Sequence, residues 1–162
     1  MTYKEFADSM KKYNLYYADD SPFWPDIEKN LPTIKQFDFY GGEPFMSKKM
    51  WHLLEVAVDK GYSKDISLHY NTNGTHWPKE VDLWKNFKMV NLSFSIDGIG
   101  DQFEYMRYPG KWDQAKQTME NSIKLKEQNK NMFLSWCITI STTNIFDLAE
   151  TINHWHEYYK PH

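Results

Sequence analysis

A chain of 162 residues that is 41% hydrophobic, 25% charged and 17% aromatic can bury a core, which excludes a disordered tail. Its formal net charge of −3 provides no electrostatic footprint for nucleic acid or an anionic membrane surface. One cysteine, Cys137, excludes an internal disulfide and cannot alone build a zinc or iron–sulfur site.

The opening MTYKEFADSMKKYNLYY is polar and mixed in charge, unlike a signal peptide. No apolar run nears the ~20 residues of a membrane span, so a soluble cytoplasmic protein is expected. Residues 1–36, including DDSPFWPDIEKNLPTIK, read as a helix and a proline-punctuated lead-in. From 37 to 160, strand-like and helix-like runs alternate without a dividing linker, so 1–162 reads as a single domain. The first strand is FDFY (37–40), and YGGEP follows it. A helix from Ser47 to Lys60 places Met50, Leu53, Leu54, Ala57 and Val58 on one face, with Gly61 ending it.

DISLHYN (65–71) is the second strand, and HYNTNGT carries it into a turn. Pro78 suits the first turn of a short helix holding Val81, Trp84 and Phe87. MVNLSFSID (89–97) is the third strand. A long loop from Asp97 to Trp112 leads to a helix ending near Asn129, with Ala115, Met119 and Ile123 along it. MFLSWCITIS (132–141) is the fourth strand. Asn144 is expected to cap the last helix, with Asp147 three residues on, burying Ile145, Leu148, Ile152, Trp155 and Tyr159.

Strands that alternate with helices predict βα units and a parallel sheet. The strands themselves are two-faced. Val90, Leu92, Phe94 and Ile96 oppose Asn91, Ser93, Ser95 and Asp97; Ile66, Leu68 and Tyr70 oppose Ser67, His69 and Asn71. In the last strand, Met132, Leu134, Trp136, Ile138 and Ile140 oppose Phe133, Ser135, Cys137, Thr139 and Ser141. The oily faces must meet the helices. Burying the polar faces without partners would cost ~1–3 kcal/mol per group, so they line solvent or a wet hollow. A one-sided antiparallel sheet would need hairpin-length connections, which are missing. The fold class expected is α/β, a partial βα barrel of parallel strands with its site at the C-terminal strand ends.

Three strand ends carry candidate groups. In YGGEP, Gly41 and Gly42 admit a close backbone approach, and Glu43 offers a carboxylate to an ammonium group; an ordinary βα turn reads the same way. Asn73-Gly74 is a common turn dipeptide. In SFSIDGIGDQFEYMRYPG, Ser95 and Asp97 face the polar side, and Arg107 can grip a carboxylate or simply be a solvated loop arginine. GIG (98–100) lacks a dinucleotide fingerprint, and His154 and His156 are wrongly spaced for a metal pair. His52 and His69 read as core-edge and hollow-lining residues, and Cys137 as an inert interior thiol.

Taken in order, YGGEP, NTNGT and LSFSIDG followed by Arg107 resemble the radical S-adenosylmethionine (radical SAM) enzymes, over roughly residues 30–160. The branch with a C-terminal twitch or SPASM extension is the nearest pattern. The resemblance implies a partial βα barrel that holds a 4Fe–4S cluster and S-adenosylmethionine, whose reductive cleavage yields a 5′-deoxyadenosyl radical. It implies that Gly41, Gly42 and Glu43 contact the methionine amino group and that Ser95 and Arg107 hold its carboxylate. Asn73 and Asp97 would line the pocket, and Thr139 to Ser141 would approach the adenine.

The chain departs from that pattern in lacking the family's CxxxCxxC motif. It is expected to be the central part of such an enzyme, unable to bind the cluster or to catalyse alone. The alternative is a cluster-free module that binds a nucleoside or another protein. Relatives act on peptides, proteins, sugars and small metabolites, which leaves the substrate open. Unpaired sheet edges make self-association an expectation as well.

Overall fold

The computed structural model describes residues 2–12 and 21–159. The lead-in holds two helices, α1 (Tyr3–Lys12) and α2 (Phe23–Asn30), with a 3-10 turn at Leu31–Thr33. Four strands follow: β1 (Gln36–Phe39), β2 (Ser67–Thr72), β3 (Met89–Ser95) and β4 (Met132–Cys137). All pair in parallel in the order β1-β2-β3-β4, the topology of a partial βα barrel. No helix among the described residues is long and apolar enough to cross a membrane.

The period-two pattern sorts the sheet as the sequence expects. The rows Phe37–Leu68–Val90–Met132 and Phe39–Tyr70–Leu92–Leu134 run across it on the helix side. Against them pack α3 (Lys48–Asp59), through Met50, Leu53, Leu54 and Ala57, and α5 (Trp112–Gln128), through Ala115 and Met119. Ser47 caps α3, its side chain accepting from the Met50 N–H. The opposite face carries Asp38, Tyr40, Phe133 and Cys137, all exposed. Trp84 is fully buried at the centre of an aromatic group with Phe45, Trp51 and Tyr70, and its indole N–H donates to the Tyr70 hydroxyl at 3.2 Å.

Several expectations need correction. The segment after Pro78 forms a 3-10 run at Val81–Asn86, not an α-helix opened by Pro78. The connection after Asp97 contains a short helix, α4 (Gly100–Met106). β4 stops at Cys137, four residues before the expected end, because β3 stops at Ser95 and offers no further rung. The last helix, α6 (Leu148–Tyr158), begins after Asp147, and Asn144 is not its cap. Ile145 and Ile152 are exposed, while Trp155 stacks on Trp136 at 4.6 Å and Tyr159 is buried. Cys137 is exposed rather than interior, lying on the face of β4 turned away from the packed helices.

Two stability predictions follow from the packing. Trp84→Ala should cost about 3–5 kcal/mol in urea unfolding, because it empties the aromatic centre and orphans the Tyr70 hydroxyl. Burial also holds the His154 imidazole below its usual range, with Lys116 adding to the effect. The unfolded chain therefore takes up that proton first, and stability should fall as pH drops through about 6.5. Thermal melts at pH 7.5 and 5.5 measure this, and His154→Gln should shrink the difference.

Candidate functional site

At the end of β1, Gly41 and Gly42 adopt φ of +83° and +57°, a region costly for other residues. A Cβ added at either would meet nothing within 4 Å, so the space before this turn is open. Glu43 follows, and Pro44 opens a 3-10 turn (Pro44–Met46) rather than a helix. The Glu43 carboxylate folds back across the neighbouring strand end. It accepts from the Thr72 hydroxyl, at 2.8 and 2.9 Å from its two oxygens, from the Asn73 N–H at 3.0 Å and from the Phe45 N–H at 3.3 Å. Burial raises its pKa above the ordinary carboxylate value, while these donors pull it back. The side chain is thus both a turn cap and a staple between β1 and β2.

A second cluster closes β3 and β4. Asp97, buried just past the end of β3, accepts from the Arg107 guanidinium on one oxygen and from the Thr139 N–H at 2.7 Å on the other. Arg107 stands at the C-terminal end of α4, so that short helix is what delivers it. Its Nε is buried without a partner among the described residues. Asn144 is buried and locks the cluster: its Nδ2 donates to the backbone carbonyls of Asp97 at 2.8 Å and Thr139 at 2.9 Å, and its Oδ1 accepts from the Ser141 N–H.

The candidates from sequence therefore fall into two neighbouring groups at the strand ends. Gly41, Gly42, Glu43 and Asn73 gather at β1 and β2; Ser95, Asp97, Arg107, Thr139 and Ser141 gather at β3 and β4. Ser95 pairs with Cys137 on the last rung of the ladder. Arg107 is not a free loop residue, being committed to Asp97. The Asn73 side chain is spent on its own turn, where its Oδ1 accepts from the N–H and hydroxyl of Thr75. Thr139 and Ser141 lie in a loop rather than on a strand, and the Ser141 hydroxyl sits 2.7 Å from that of Thr143.

Two residues escape the sequence reading. Thr72 shares its row with Phe94 and Trp136, so its position reads as an apolar one, yet its hydroxyl binds Glu43. A hydroxyl in an apolar register beside a Gly-Gly-Glu turn is the signal that marks it. Asn144 carries the residue type of a helix cap, which masks its role as a bolt. Among the described residues, no three His, Cys, Asp or Glu side chains converge to hold a metal.

Residues 26–152 fit the family model described as the Radical SAM superfamily. No curated protein and no solved structure matches the chain.

Thr72→Val keeps the shape but removes the hydroxyl that donates to Glu43 and accepts from the Gly74 N–H. Urea unfolding should show a loss of about 1–3 kcal/mol. NMR titration of the Glu43 carboxyl should show its pKa moving further up, since the bond that pulls it down is gone.

Proposed function

Because the chain belongs to the radical SAM superfamily, we propose that it binds S-adenosylmethionine by its amino-acid end, at the C-terminal rim of the sheet. The pattern of its strand-end motifs suits the twitch or SPASM branch. Glu43 accepts the ammonium group, and the open turn at Gly41 and Gly42 gives that group its approach. Arg107 and Ser95 take the carboxylate, Asn73 and Asp97 border the pocket, and the segment from Thr139 to Ser141 faces the adenine. One observation carries this reading: a partly buried carboxylate and a partly buried guanidinium close neighbouring strand ends, the charge arrangement a zwitterionic amino acid needs.

The 4Fe–4S cluster that the family implies does not fit these residues. Such clusters are held by several thiolates, and the chain has Cys137 alone. When bound beside a reduced cluster, S-adenosylmethionine supplies the family's hydrogen-abstracting radical. These 162 residues do not supply those thiolates, so on this reading the chain by itself binds without catalysing. The same misfit favours a second reading, a cluster-free module that uses the amino-acid cradle for recognition alone.

Isothermal titration of S-adenosylmethionine into the chain, with methionine and adenosine as controls, tests the proposal. Saturable binding in which methionine competes is expected. Glu43→Ala should weaken it about tenfold to a hundredfold, the worth of one charge-assisted hydrogen bond of ~1.5–3 kcal/mol. No heat from the wild-type chain, or an unchanged affinity in Glu43→Ala, would retire the assignment. Because burial raises the Glu43 pKa, its negative charge is lost at a higher pH than usual. Affinity should therefore fall as pH is lowered from 7.5 toward 5, and Glu43→Ala should flatten that profile.

A further inference from the structure

Asp38 and His69 sit opposite each other in register on β1 and β2, on the sheet face away from the helices. Oδ1 of Asp38 lies 3.3 Å from Nδ1 of His69. The acid is pinned in turn by Gln36, two residues earlier on the same face, whose Nε2 donates to its two oxygens at 2.9 and 3.0 Å. Tyr40, two residues later, meets the imidazole edge-on with ring centroids 5.6 Å apart. Asp38 and Tyr40 thus both face the ring, and Gln36 holds the acid from the same side. The His69 side chain is 28% exposed, so it is held in place yet reachable.

Nδ1 faces both the Asp38 carboxylate and, at 3.5 Å, the Tyr40 hydroxyl; when Nδ1 carries the proton toward the carboxylate, the Nε2 lone pair is directed away from it. No hydrogen bond within the described residues occupies Nε2. Along the same row lies Phe133, 53% exposed, a flat apolar wall beyond Asn91. Thr72, which binds Glu43, is three residues farther along β2, so the imidazole lies about 10 Å below the rim. That depth is beyond an amino-acid headgroup and suits a second molecule.

We propose that His69 Nε2 is a proton acceptor for a ring-bearing substrate with an ionisable hydroxyl or amine, lying along this polar face. The inference deepens the proposed function, since it rests on ligands binding on this side of the sheet. In the transfer, the heteroatom–hydrogen bond breaks, the electron pair stays on the heteroatom, and the Nε2–H bond forms. The imidazolium then faces the Asp38 carboxylate, and the proton returns to the product or to water.

Acylation of each histidine by diethyl pyrocarbonate, followed by peptide mass mapping, tests whether Nε2 is free and basic. His69 should react faster than His52, although the His52 side chain is 57% exposed. Asp38→Asn should slow His69 several-fold and leave His52 unchanged, and Gln36→Ala, which unpins the acid without removing it, should slow it less. An ordinary surface pair would give rates that follow exposure. As a substrate probe, 4-nitrophenol should shift the His69 Nε2 signal saturably in nitrogen-15 NMR, whereas nitrobenzene, which has no hydroxyl, should not. Slower acylation than His52, indifference to Asp38→Asn, or equal response to the two probes would overturn the proposal. None of these readouts uses S-adenosylmethionine, so a failed titration with normal His69 reactivity would remove the cofactor reading alone.

Discussion

The carboxylates of Glu43 and Asp97 each join backbone from two neighbouring strand ends, and the shape of the rim depends on them. A parallel sheet leaves its C-terminal strand ends without ladder partners, so their N–H groups need other acceptors. Glu43 takes the Asn73 N–H beyond β2 and the Phe45 N–H of its own turn. Asp97 takes the Thr139 N–H beyond β4. Asn144 completes the second closure by bonding the carbonyls of Asp97 and Thr139. Without these acids, the Asn73, Phe45 and Thr139 N–H groups would have to turn to water.

These acids also decide how much binding capacity is left. A carboxylate has about four acceptor sites. Three donors reach Glu43, because the single Thr72 proton is shared between its oxygens, so about one site remains for an ammonium N–H. Arg107 has five N–H donors, of which Asp97 engages Nη2 while Nε is buried and unmet. A ligand carboxylate must then share the guanidinium with Asp97, and it gains most by satisfying donors that Asp97 cannot reach. On the proposed reading, the site is preorganised at the expense of spare contacts, and ligand affinity would rest on a few charge-assisted bonds.

Much of this was legible in the sequence, and the failures share a cause. Four parallel strands, the face of each and the helices at α3 and α5 follow from apolar periodicity, which burial enforces strongly. What periodicity cannot see is a polar side chain used inside the structure. The alternation in 138–141 continues the β4 pattern, yet past the last β3 rung the Asp97 carboxylate and the Asn144 amide take that backbone instead. Asn144 looks like a cap because caps use the same residue type. The short α4 escaped because only Phe103 in it is buried, too little for a pattern. Arg107 and Asp97 were both legible as candidates, but their commitment to each other was not, since it depends on the turn of α4.

Cys137 stands apart from the proposed amino-acid cradle. It lies at the end of β4, three strand intervals from the Gly41–Glu43 turn after β1, or about 14 Å across the sheet. A thiolate there stands well away from the carboxylate proposed to take the ammonium group. On the β1 side the sheet ends, and no strand lies beyond β1 among the described residues. A cleft of about 490 Å³ follows that edge, lined by Phe37, Phe39, Tyr40 and Gly41 and walled by Trp24 of α2. On the proposed reading, the strand-end groups form the amino-acid site on their own, apart from the one thiol this chain carries.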